Sequence, residues 1–274
     1  MKFSVFGDLH FSKNYQEVDN FEAFRDQYYR HFMDVLFQQA ADYYISIGDL
    51  TNSGHPEELR DIYALISEFD SQGKFLHVPG NHDNYASSKE DLKSALHNDL
   101  YFTIDAGEFC LIFLDTNRDQ VPEDWSGTLD DEQFNWFKSV MADNQDKTIV
   151  IFAHHPVYGT TNHSTDNKAS IVPEIPIKDV LDQHPGKGFF INGHVHVDSI
   201  VEMGNWHYIQ IAAILDQPSV RNIEITSDSF SIESVDIEEE YRQIGSFLGC
   251  RMNYFKLSPY GYQGQENRNF HINY

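Results

Sequence analysis

Apolar and polar positions along the chain keep two rhythms. Short apolar runs at 2–7, 43–47, 74–78, 109–114, 148–153 and 188–191 read as buried strands. Between the first of them, apolar residues recur three and four apart. Phe21, Phe24, Tyr28, Phe32, Val35 and Leu36 mark one face of a helix predicted to run to about Ala41. Asp19 is its expected N-cap, with Glu22 completing a capping box. A second helix is predicted from Pro56 to about Gln72, where Gly73 suits its stop. Shorter helices are expected at 88–97, at 178–183, and from the cap Asp130, with Gln133 three residues on, to about Asp143. A further strand is expected at 101–105, and the segments 198–203, 206–211, 220–226 and 229–236 read as a closely connected antiparallel group. The opening order of strand, helix, strand, helix, strand points to an α/β fold with a parallel or mixed first sheet. The stretch 115–128 reads as a polar loop, and 157–176, rich in Thr, Asn and Ser, as a rim or lid.

From residue 237 the character changes. Glu238, Glu239 and Glu240 precede Phe247, Tyr254, Phe255, Tyr260, Tyr262, Phe270 and Tyr274, without clear periodicity. So many aromatics suggest packing onto the domain or onto a partner chain. The chain therefore divides into a domain, 1–236, and an aromatic-rich C-terminal extension, 237–274, through which a homo-oligomer could form. The net charge of −24 argues against broad nucleic-acid binding and against docking on an anionic membrane. No run approaches the roughly 18 apolar residues of a membrane span. The apolar stretch before Asp8 is too short for a signal-peptide core. Two cysteines, Cys110 and Cys250, make no disulfide framework, so a cytoplasmic protein is expected.

The chemistry gathers at five strand ends. They carry Asp8 and His10, Asp49, Asn81 and His82, His154, and His194 and His196. Each fragment alone has a plain reading as a polar turn, a helix cap or a packed histidine. Together, and with residues i and i+2 pointing the same way in an extended chain, they predict a convergent cluster of carboxylates and imidazoles. Such donors suit Mn, Fe, Zn, Co or Ni better than Ca or Mg alone, and they suffice for two ions. No thiolate takes part, which excludes a Cys-type structural zinc site.

The set Asp8-x-His10, Gly48-Asp49, Gly80-Asn81-His82-Asp83, His154-x-Pro156 and Gly193-His194-x-His196 resembles the calcineurin-like metallophosphoesterase superfamily over roughly residues 1–236. The stretches Gly48 to Gly54 and Gly127 to Gln133 are similar to its bacterial cyclic-nucleotide phosphodiesterase and glycerophosphodiesterase branch. The resemblance implies a four-layer α-β-β-α sandwich with two mixed sheets and two divalent transition-metal ions, with Mn, Fe or Zn expected. It implies that Asp8, His10 and His196 hold one ion, that Asn81, His154 and His194 hold the other, and that Asp49 bridges them. His82 is then a catalytic residue facing the phosphate, and Asp83 orients a neighbour. The expected reaction is hydrolysis of a small phosphodiester, of cyclic-nucleotide or glycerophosphodiester type, by a metal-bridging hydroxide. A phosphomonoesterase or nucleotide pyrophosphatase on the same scaffold is the alternative, and a non-catalytic binding scaffold a more distant one. The histidines His31, His55, His77, His97, His155, His163, His184, His207 and His271 default to surface or core roles, although His155 and His163 could reach a substrate.

Overall fold

A computed structural model describes residues 1–260 and 264–274; Tyr262, among the aromatics of the extension, lies outside them. The strand β1 (Lys2–Phe6) runs parallel to β2 (Tyr43–Ser46), which runs parallel to β3 (Phe75–His77). The helices α1 (Phe21–Phe37) and α2 (Pro56–Phe69) make the crossovers. On the other side of β1, β10 (Ser219–Ile225), β11 (Ser229–Asp236) and β12 (Phe270–Asn273) add antiparallel neighbours, giving the order β12-β11-β10-β1-β2-β3. The second sheet has the order β4-β5-β6-β7-β9-β8. Its strands are β4 (Phe102–Ala106), β5 (Phe109–Leu114), β6 (Thr148–Ala153), β7 (Gly188–Asn192), β8 (Ser199–Met203) and β9 (Trp206–Gln210). Here β5, β6, β7 and β9 are parallel, and β4 and β8 are antiparallel edges.

The sheets pack face to face through Phe3, Val5 and Ile45 of the first and Leu111, Val150, Phe152 and Ile191 of the second. Two helices, α1 and α2, and the later α6 (Glu239–Gly249) cover the outer face of the first sheet, where Phe6, Phe32, Leu36, Ile62 and Leu248 meet. The outer face of the second is covered by α4 (Asp131–Asp143) and α5 (Ile177–Asp182), through Phe137 and Leu181 on Ile112, Ile151 and Phe190. The short α3 (Lys89–Ala95) follows β3, its Ser88 cap accepting from the Asp91 amide. The molecule is thus a four-layer α-β-β-α sandwich. Both faces of β5, β6 and β7 are covered, which is why these strands read as continuous apolar runs instead of alternating ones.

Three expectations need correction. The first helix starts after Asn20, whose backbone is left-handed (φ 65°) and whose side chain makes no cap; Glu22 accepts a hydrogen bond from the Tyr15 hydroxyl instead of closing a capping box. That helix ends at Phe37 and the second at Phe69, because Asp70 turns to accept the amides of Lys74 and Phe75. The four segments after 198 form two hairpins in different sheets, β8–β9 and β10–β11, with the chain crossing between sheets at 211–218.

The extension is ordered where described. One face of α6 lies on α1, and β12 lengthens the first sheet. Arg268 is buried and ion-paired with Asp198 and Asp236, so the chain end is tied to the start of β8 and the end of β11.

Candidate metal centre

All five strand ends meet where the two sheets abut. The parallel strands β1, β2 and β3 bring Asp8 and His10, Asp49, and Asn81 and His82; β6 and β7 bring His154, and His194 and His196, from the facing sheet. This is the carboxyl edge of both sets of parallel strands, the usual place for chemistry in α/β folds. Backbone bonds knit the loops together. Asp8 donates its amide to Gly48 and His10 to Asp49, while Gly193 donates to His154. The chain leaves β1, β2 and β7 by an unusual route. Asp8, His10, Asp49, His194 and His196 all have positive φ, between 51° and 73°. Left-handed backbone outside glycine carries strain, and its concentration here points to a functional constraint. Gly48 and Gly193 allow the approach. A Cβ on Gly48, itself at φ 106°, would lie 2.2 Å from the His154 ring, and one on Gly193 would lie 2.3 Å from Asp8 Oδ2.

Ligating atoms of Asp8, His10 and His196 lie within 4.8 Å of one another, as do those of Asp8, Asp49 and His154, and those of His10, Asp49 and His82. Asp49 Oδ2 stands 3.3 Å from His154 Nε2 and 3.7 Å from His10 Nε2, at the centre of the cluster. Burial opposes its charge, but the imidazoles of His154 and His82 hold its carboxyl well below the usual range. His10 is driven well below its ordinary value by burial and by His82.

For His154 and His194 the hydrogen bond at the far side of the ring decides which nitrogen points inward. His154 donates Nδ1–H to the Ile47 carbonyl (2.9 Å), and His194 donates Nε2–H to the Lys168 carbonyl (3.1 Å). Nε2 of His154 and Nδ1 of His194 then face each other at 3.3 Å. A contact this short needs a shared proton or a shared cation, and two neutral imidazoles turned inward are the donor arrangement of a metal site. Burial disfavours a charge on His154, but Asp49 outweighs it and raises the ring to about 9. Burial, then His154, lowers His194 to about 3. On the other side, His10 Nε2 and His196 Nε2 also meet at 3.3 Å. Asn81 turns its Oδ1 to His154 Nε2 (3.1 Å) because its Nδ2 donates to the Tyr85 hydroxyl (2.6 Å). The residues present therefore fit divalent ions held by mixed carboxylate, amide and imidazole donors.

Four supporting residues escaped the sequence reading. Tyr85 and Lys168 are two. His77, expected to be plain core, donates to Asp83 Oδ2 at 3.1 Å and is backed by the Tyr63 hydroxyl. Asp83 in turn accepts the amides of Gly80 (2.8 Å) and Thr51 (2.8 Å), clamping the loops after β2 and β3 together. The fourth is Asp216, whose Oδ2 faces His196 Nδ1 at 3.4 Å and whose Oδ1 accepts the Ser258 amide at 2.7 Å. Burial alone would lower His196, but Asp8 and Asp216 raise it to about 10. Asp216→Ala is expected to weaken metal binding by about 10- to 100-fold, the usual effect of losing a partner behind a ligating histidine. Competition with a chelator, read as metals retained per chain, checks this; wild-type retention would leave Asp216 without that role.

His155 lies beside the cluster, with a ring nitrogen within 4.8 Å of ligand atoms of His154 and His194. Its Nδ1 meets the Thr116 hydroxyl at 2.7 Å and its Nε2 the Trp125 carbonyl at 3.0 Å, so both nitrogens are engaged. His163 stacks on Tyr260 with centroids 3.7 Å apart and bonds Asp166, outside the cavity lining. His82 differs from all of these. Its amide donates to Asp49 Oδ1 (2.8 Å) and its Nδ1–H to the Asn52 carbonyl (2.7 Å), leaving Nε2 free at the mouth of the cluster. That nitrogen lies 4.0 Å from Asp49 Oδ2, and the side chain is 13% exposed. A cavity of about 500 Å³ opens above, lined by Asp49, Asn81, His82, His194 and His196 and walled by Tyr85, Trp125 and Phe255.

Similarity to known proteins agrees with this geometry. Residues 1–198 match the profile of the calcineurin-like phosphoesterase family. The chain is 25% identical, over 57% of its length and 56% of the relative's, to a protein named probable glycerophosphodiester phosphodiesterase from Arcobacter nitrofigilis. It is 28% identical, over 42% of its length and 38% of the relative's, to one named probable cyclic nucleotide phosphodiesterase from Rhodococcus erythropolis. The chain thus spans about half the length of such relatives or less. Its fold matches a dimetal phosphatase from Danio rerio with TM-score 0.65 and 16% identity, covering 86% of this chain and 96% of that one. With the profile matched across most of the chain and all its strand-end residues in one cluster, the chain belongs to the calcineurin-like phosphoesterase family.

Proposed function

We propose that the protein is a metal-dependent phosphodiesterase acting on a small diester of cyclic-nucleotide or glycerophosphodiester type. The observation that carries this reading is the free His82 Nε2 beside a cluster whose inward nitrogens meet in pairs at 3.3 Å. Asp8, His10 and His196 would hold one divalent ion and Asn81, His154 and His194 another, with Asp49 shared between them. Mn, Fe or Zn suits these donors. Bound there, such ions supply charge neutralisation and an acidified water near neutral pH. The chain supplies the rest. The Asn52 carbonyl fixes the His82 proton on Nδ1, so that a second proton on Nε2 points at the cavity. From there His82 donates to a phosphoryl oxygen or to the departing alkoxide. Asp83 holds the His82 loop against the Asp49 loop, keeping the acid and the shared carboxylate in register.

A phosphomonoesterase or nucleotide pyrophosphatase would use the same cluster, and the cavity rim decides between them. Hydrolysis of bis(p-nitrophenyl) phosphate and of p-nitrophenyl phosphate by the Mn²⁺-loaded protein tests the choice. Higher kcat/KM on the diester is expected; higher kcat/KM on the monoester would move the assignment to a phosphatase. Two unpaired cysteines, Cys110 and Cys250, fit a reducing, cytoplasmic setting, and among the described residues no helix is long and apolar enough to cross a membrane.

A further inference from the structure

The family match ends at residue 198, yet Tyr254, Phe255 and Lys256 line the cavity above the metal cluster. The segment bearing them is fixed at several points. Met252 bridges to Tyr15, and the Asn253 amide donates to the Asn14 carbonyl (3.1 Å). The Asn253 carbonyl accepts from Asn52 Nδ2 (2.5 Å), and the Ser258 amide donates to Asp216 (2.7 Å). Asn52 is also the residue whose carbonyl orients His82, and Asp216 the one that faces His196. Phe255 is buried with its ring against His10 (centroids 4.7 Å apart) and stacked on His196 (5.3 Å).

The chemistry of this wall is distinctive. Tyr254 is 68% exposed and Trp125 41%, two large aromatic side chains on one cavity. Trp125 stands on the His194 side, its carbonyl held by His155, whose ring lies 4.2 Å from that of His194. Phe255 stands on the His10 and His196 side, so aromatic rings flank the cluster at both ends. Tyr85 and Pro122 extend the apolar lining. One cation, Lys256, lines the cavity, while the Lys168 ammonium is bonded to the Glu123 carbonyl and sits 4.3 Å from the Trp125 ring centroid. In a protein of net charge −24, Lys256 is a local attractor for a phosphate group. A polyol arm would press its hydroxyls against carbon and leave them unpaired, whereas a flat heteroaromatic ring would stack.

We propose that the segment 252–258 is a specificity wall, in which Tyr254 and Lys256, with Trp125, select a phosphodiester whose organic arm carries a flat heteroaromatic ring. This deepens the phosphodiesterase reading and rests on it. The test uses the full-length, Mn²⁺-loaded protein with 3′,5′-cyclic AMP and glycerophosphoethanolamine as substrates. It also measures equilibrium binding of AMP and of glycerol 3-phosphate by calorimetry. The wild type is expected to favour cyclic AMP in kcat/KM and AMP in binding. Tyr254→Ala should lower the ratio of the two kcat/KM values about tenfold, mainly through KM, the effect of one lost stacking partner. Tyr254→Phe should restore it, and Lys256→Ala should weaken both nucleotide measurements. Turnover of both esters with a ratio indifferent to Tyr254→Ala and Lys256→Ala would overturn the wall and leave the phosphodiesterase reading standing. No turnover, with AMP binding still weakened by Tyr254→Ala, would support the wall as a ring-binding surface and remove the phosphodiesterase reading. Neither turnover nor AMP binding would remove both.

Discussion

Asp49→Ala is expected to leave at most one metal ion per chain and to lower turnover on the order of 10³-fold. The carboxylate faces both halves of the cluster, with His154 on one side and His10 on the other. Removing it would take away charge that offsets bound ions and leave His154 and His10 without their nearest carboxylate. Several kcal/mol of charge stabilisation are lost, at about 1.36 kcal/mol per tenfold in rate. The loop itself also depends on Asp49, because its Oδ1 accepts the His82 amide. Asp49→Asn separates the two effects: an amide oxygen can still accept that bond while the charge is gone. Elemental analysis of both variants after dialysis reads the outcome. Two tightly held ions per chain in each would overturn the shared-ligand role.

His82→Ala should behave in the opposite way, keeping both metals and losing about 10²- to 10⁴-fold in kcat, the range for one positioned general acid. Its Nε2 lies within reach of the group formed by His10 and Asp49, so a ligand role and an acid role make different forecasts. A ligand would take metal with it; an acid would not. Wild-type kcat with full metal content would exclude the acid, and loss of one ion would reassign His82 to the first coordination set.

Much of the candidate site was legible because its residues sit where apolar runs stop. Asp8, Asp49, Asn81, His154 and His194 each follow a strand whose two faces are both covered, and such strands announce their ends by composition alone. What surrounds them was not legible. His77 sits in a strand and looks like packing, and only its contact with Asp83 reveals a charge partner. Asp216 and Ser258 are 42 residues apart, separated by the β10–β11 hairpin and α6, and meet only in the folded chain. Lys168 acts through its carbonyl, which no side-chain pattern can signal. The helix Glu239–Gly249 is a different case. Tyr241, Ile244, Phe247 and Leu248 do keep a helical spacing, but Gly245 and Gly249 interrupt it. Those glycines have a packing reason: a Cβ at Gly245 would meet the Tyr28 hydroxyl at 3.1 Å, and one at Gly249 the Phe255 ring at 2.8 Å. Small residues there bring the helix close to α1 and to the cavity wall, at the expense of the sequence signal.

The left-handed backbone at Asp8, His10, Asp49, His194 and His196 has a thermodynamic consequence. At about 1 kcal/mol or more each, such conformations together approach the whole net stability of an ordinary domain, about 5–15 kcal/mol. The sheets beneath must hold these loops in a shape the free chain would not choose. Ligand atoms that are gathered only in that shape make metal binding and folding one linked equilibrium. Metal supply then becomes a quality check on the chain: copies that fail to fill the centre are the less stable ones, and they are the first to open to proteolysis.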